Sequence, residues 1–173
     1  MVESLVAVAQ IFKISDHYLG PSVKGLEEAV LRQRVGGANS IHWIAGHVAV
    51  GRRRLLCLLG QPEPVLWADI FGKGSAETPH AVFPPLCEIL NLWEVDARNL
   101  QNCLSALGAE ELLAPAPFDL PGSRKTVGGW ITYLAYHEAY HIGQISQLRK
   151  ALGKGLKRRT AEILTRAESK SKH

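Results

Sequence analysis

The chain has 173 residues, 46% of them apolar and 21% charged, with a formal net charge of +4. These are ordinary values for one globular domain long enough to bury a real core. No apolar run approaches the roughly 18 residues of a membrane span, and the N-terminal stretch carries Glu3 and no basic leader, so neither a membrane partner nor a signal peptide is expected. Residues 149–173 hold nine Lys and Arg against Glu162 and Glu168, so the basic character belongs to a tail and the body is mildly acidic. A solvated tail is expected there, not a nucleic-acid partner. Cys57, Cys87 and Cys103 form an odd set without a CxxC pair, which suits a reducing cytoplasm and buried thiols.

In chain order, Leu5, Val8, Ala9, Phe12 and Leu19 repeat at helical spacing and predict a first helix over residues 2–18, ended by Gly20-Pro21. Residues 22–34 allow one short helical turn before Gly36-Gly37. Asn39 or Ser40 then caps a second helix that ends at Gly60, before Pro62. Residues 60–82 form a long connection, rich in Gly and Pro, whose Trp67, Ile70 and Phe71 predict packing against the body. A third helix runs from about Pro84 to Leu107, with Leu86, Ile89, Leu90, Trp93, Ala97, Leu100 and Leu104 along one side. After a Pro-rich stretch with a turn at Pro121-Gly122, Thr126 caps a fourth helix that reaches Leu152. No strand-like alternation, repeat or low-complexity tract is present. The expected fold is all-α, a four-helix bundle over residues 1–155 in which the 60–82 crossover lets helices two and three run parallel. Residues 156–173 are the basic tail, with TAEILTRAE as a possible short helix.

The chemistry sits in the fourth helix. His137 and His141 are four residues apart, so their imidazoles stack on one face and can chelate one transition metal without filling its shell. His47, on the apolar side of the second helix, is the best third ligand. A buried imidazole without a partner is costly, and a shared ion would satisfy all three at once. A lone inward histidine is more often a hydrogen-bonded core residue. His42 lies about 140° around the helix from His47 and falls outside this site. His17, His80 and His173 read as surface residues.

Two segments carry a resemblance. Asn39-Ser40, Trp43 and Gly46-His47, followed by Arg53 and Leu59-Gly60, form one. His137-Glu138-Ala139-Tyr140-His141-Ile142-Gly143-Gln144, followed by Leu148-Arg149 and Leu152-Gly153, forms the other. Both are similar to the signatures of the DinB/YfiT-like family, and helix order and spacing agree over nearly the whole chain. The resemblance implies a four-helix bundle, often a homodimer, with a divalent metal held by His47, His137 and His141 and positions left open for water or substrate. It further implies that Gly143 lets a neighbouring segment approach. Gln144 is a catalytic candidate that would bond a metal-held water or orient a ligand; a buried amide bonding the backbone is the competing reading.

His137-Glu138-Ala139-Tyr140-His141 also matches the HExxH pattern of zinc proteases, which would make Glu138 a general base. No histidine lies between 142 and 172 to complete such a site, and no strand-rich half exists to hold a peptide. Glu138 is therefore expected at the edge of the site or in a surface pair. Three neutral imidazoles suit Zn, Ni, Fe or Mn without choosing among them. Relatives with assigned activities include transferases and isomerases that use low-molecular-weight thiols, so the leading expectation from the resemblance is a metal-dependent thiol transferase acting on an electrophilic small-molecule substrate, with Trp67 and Phe71 helping to wall the pocket. A metal-dependent hydrolase and a non-catalytic, metal-binding stress-response bundle are the alternatives.

Overall fold

The computed structural model describes residues 2–72, 79, 82–117 and 120–155. The basic tail, its short helix, His80 and His173 lie outside the described residues. Those described form seven helices: α1 Glu3–Val23, α2 Glu28–Arg32, α3 Ile41–Leu58, α4 Ala68–Phe71, α5 Leu86–Ala106, α6 Ala109–Leu113 and α7 Val127–Ala151. The all-α expectation holds, with a single isolated bridge between Pro115 and Thr126 among the described residues.

The four long helices pack in a closed ring, α1 on α7 and α5, and α3 on α7 and α5. Their directions follow from the residues that meet. His42, at the start of α3, lies 2.9 Å from the Pro84 carbonyl just before α5, and Arg53 pairs with Asp96 further along both helices. α3 and α5 therefore run parallel, as the long connection allows. Ser4 borders the same cavity as Gly128 at one end, and Arg149 donates to the Ser22 carbonyl at the other, so α1 and α7 also run parallel. α3 opposes α7: Ile44 lies by Leu148, and Gly51 by Leu134.

Local chemistry sets the ends. The Ser40 hydroxyl accepts from the Trp43 amide at 3.2 Å, and Thr126 accepts from the Gly129 amide at 3.2 Å, each satisfying an amide that has no partner within its helix. α1 does not stop at Gly20-Pro21; it continues to Val23 with Pro21 inside it. Proline forfeits one hydrogen bond, but the last turn closes through Lys24 N–H on the Gly20 carbonyl at 3.0 Å, and the stop falls at Gly25, whose φ of 73° suits glycine.

Two apolar clusters fill the ring. One gathers Trp43, Ile44, Phe71 and Trp93, and the other Phe12, Leu55, Leu100 and Trp130. Charged groups lie where they meet. The Arg52 guanidinium stacks 3.5 Å from the Trp93 ring centre and 5.7 Å from that of Phe12. It gives two hydrogen bonds to Glu138, at 2.6 and 2.9 Å, and pairs with Asp16. Arg52 is 0% exposed and Glu138 1%. Burial opposes the charge on Arg52, but Glu138 and Asp16 outweigh it and raise its pKa.

Candidate metal centre

α3 and α7 bring His47, His137 and His141 together, with one ring nitrogen from each lying within 4.8 Å of the others. His47 Nε2 and His137 Nε2 are 3.0 Å apart. Two nitrogens bound at about 2.0–2.1 Å to one zinc ion would be ~2.9–3.4 Å apart, so the spacing fits a shared ion. The remaining ring bonds fix which nitrogen is free. The Phe71 carbonyl can only accept, so His47 donates Nδ1–H to it at 2.7 Å and leaves the Nε2 lone pair facing His137. His141 Nδ1–H donates to Gln144 Oε1 at 2.7 Å, which likewise frees Nε2. Among the described residues, His137 Nδ1 is buried without a hydrogen-bond partner. Burial, with the charges of neighbouring groups as a smaller cause, lowers all three imidazoles, His137 to about 3 and His141 to about 4, although the Phe71 and Gln144 hydrogen bonds pull His47 and His141 the other way. The neutral form that results is the one a metal binds. The donor set thus fits a divalent ion held by His47, His137 and His141.

Neighbouring groups hold these rings. Trp43 stacks on His47 with centroids 4.6 Å apart and planes 13° from parallel. The amide of Gln144 accepts from His141 and donates to the Tyr140 hydroxyl at 3.0 Å. It binds a side chain and a ring, not the backbone. Replacing Gln144 with Leu is expected to cost about 10–100-fold in metal affinity, as loss of a ligand-orienting bond does. Competition with a chromogenic chelator would measure it.

Phe71 closes the other side. Its ring lies directly over Gly46, where any Cβ would overlap it. Gly46 is thus what lets the Phe71 carbonyl reach the next residue, His47. A Gly46→Ala variant is expected to lose about 1–3 kcal/mol from overpacking, read as a lower urea midpoint with an unchanged slope.

A cavity of about 620 Å³ opens beside the triad, lined by the three histidines, Gly51, Arg54, Leu120, Pro121, Trp130, Leu134 and the tyrosines Tyr133, Tyr136 and Tyr140. Trp67 and Phe71 do not line it. They pack into the core behind His47, so the long connection supports a ligand where a pocket wall was expected. Among the described residues nothing lies within 4 Å of where a Gly143 Cβ would be, and Gly143 lines a groove with Arg34 and Gln147. Glu138 is neither at the edge of the site nor in a surface pair. Both its oxygens are engaged by Arg52, and burial pushes its carboxyl up to about 7 against the pull of that cation. Its backbone follows His137, but its side chain points into the core. His42 stays outside the site on the Pro84 carbonyl, and His17 is exposed.

The sequence profile of the DinB superfamily matches residues 13–145. That span covers the three clustered histidines, the Arg52–Glu138 pair and Gln144. The chain belongs to the DinB superfamily. No curated protein matches it closely enough to carry an activity across. Gly46 before His47 has its physical reason in the Phe71 contact, and Gln144 has its reason in the His141 bond. The sequence reading missed the Phe71 carbonyl and the burial of Arg52, Arg53 and Asp96. Consecutive arginines 52–54 inside an apolar helix were the available signal for the latter.

Proposed function

We propose that this DinB-superfamily chain is a metal-dependent enzyme that transfers a small thiol to an electrophilic molecule. The observation that carries the reading is the convergence of three imidazoles, with one ring nitrogen from each within 4.8 Å of the others, on the wall of a cavity large enough for a small ligand. A divalent ion held there would supply Lewis acidity, making a thiol or water beside it more acidic. The chain's own residues supply position. Phe71 and Gln144 fix the His47 and His141 tautomers, Trp43 fixes the His47 ring plane, and the tyrosines form the wall opposite α3. In the transfer the thiol yields its proton to solvent, the sulfur pair forms the bond to the electrophilic carbon, and the displaced group leaves with the electrons of its broken bond.

A thiol brings its own nucleophile, whereas hydrolysis calls for a base near the attacking water. Glu138, the carboxylate the HExxH pattern offers, is committed to Arg52. This favours transfer over the hydrolase reading. Among the described residues no helix is long and apolar enough to cross a membrane. The three cysteines are free thiols, which supports a cytoplasmic setting. A homodimer belongs to the same reading, and light scattering would test it.

The deciding experiment loads the protein with zinc, nickel, iron or manganese and follows consumption of glutathione, bacillithiol or mycothiol with an activated aryl halide. The expected result is metal-dependent conjugation that disappears in His137→Ala. Ester or amide hydrolysis without any thiol dependence would overturn the transferase reading.

A further inference from the structure

The cavity beside the triad is not uniformly neutral. His47, Gly51 and Arg54 lie at i, i+4 and i+7 on α3, hence on one face, and all three line it. The helical rise puts Arg54 ~10 Å along the axis from His47. Gly51, between them, has no side chain to divide the space, and a Cβ there would already touch the His137 ring at 3.6 Å. The three consecutive arginines have different surroundings. Arg52 is paired with Glu138 and Asp16, and Arg53 with Asp96 and, at 3.4 Å, Glu63. Arg54 is exposed to the cavity, and among the described residues no carboxylate pairs with it. Leu120, Pro121, Leu134 and Trp130 give the cavity an apolar share of its lining, with Leu134 beside Gly51.

Resting on the metal-centre reading, we infer that Arg54 is a specificity-determining residue that selects an elongated ligand bearing a carboxylate. The ligand's acid end sits on the guanidinium, its apolar middle passes over Gly51, and its thiol end reaches the three imidazoles. Arginine suits this role because its planar fork presents two parallel N–H groups to a carboxylate. An exposed, flexible lysine would offer a point charge alone.

The test uses zinc-loaded full-length protein with its metal counted by mass spectrometry. Calorimetry then compares mercaptohexanoate with its neutral analogue mercaptohexanol. The acid should bind roughly tenfold tighter, the value of one charge-assisted pair at a half-open site, and the advantage should shrink as salt is raised. In Arg54→Gln the acid should fall to the affinity of the alcohol, while zinc content and alcohol binding stay as they were. Arg54→Lys should retain part of the preference. With zinc bound, equal affinities in the unmodified protein, or a preference that survives Arg54→Gln, would overturn the role of Arg54 and leave the metal centre standing. Failure to hold zinc at all would overturn both.

Discussion

Replacing Arg52 with Ala is expected to remove about 3–5 kcal/mol of stability, the cost of leaving a buried charge without its partner. Against a total of roughly 5–15 kcal/mol for a domain, that is a large share. The reason is geometric. Glu138 is 1% exposed and takes both its hydrogen bonds from Arg52, so no water can replace the lost donors. The change also empties the space over the Trp93 ring, where the guanidinium stacks at 3.5 Å. Asp16 should matter less, because it is partly open to solvent and can be rehydrated. The double variant Arg52→Met with Glu138→Leu should recover most of the loss, since apolar groups of similar volume leave neither a buried charge nor a void. Urea unfolding of the single and double variants measures both effects. Equal stability of Arg52→Ala and the unmodified protein would show that the pair does not bolt α3 to α7.

The second large effect concerns the ion. Because the three imidazoles belong to two different helices, metal binding should stabilise the folded chain and not its unfolded form. At an excess of about 1,000 times the dissociation constant, the gain would be about 4 kcal/mol. Each of His47→Ala, His137→Ala and His141→Ala should remove most of it, because two remaining nitrogens bind the ion far more weakly than three. Of the three apo variants, His137→Ala should be the least destabilised, since its Nδ1 has no hydrogen-bond partner among the described residues, whereas His47→Ala and His141→Ala also take the donor from the Phe71 carbonyl and from Gln144. Thermal unfolding with and without zinc measures this. A zinc-induced rise that persists in all three variants would place the ion elsewhere.

The long helices and the triad were legible in the sequence for the same reason: both are periodic. Apolar residues every three to four positions marked α1, α3, α5 and α7, and the four-residue step from His137 to His141 set two rings on one face. Ser40 and Thr126 announced their helix starts by residue type. α4 and α6, at four and five residues, are too short to show a period. What else stayed hidden depends on tertiary contact. The Phe71 carbonyl is a backbone group, which no side-chain pattern reports, and it reaches His47 only because Gly46 leaves room for the Phe71 ring. Arg52, Arg53 and Asp96 carry charges that sequence reasoning places in water, and their burial becomes affordable only once α1, α3, α5 and α7 supply partners.

Metal content of the untagged protein, measured by mass spectrometry beside the His47→Ala/His137→Ala/His141→Ala variant, tests the central claim most directly. One divalent ion per chain in the unmodified protein and none in the variant is the predicted result. An unmodified protein that stays metal-free after reconstitution, or a variant that keeps a full complement, would contradict it.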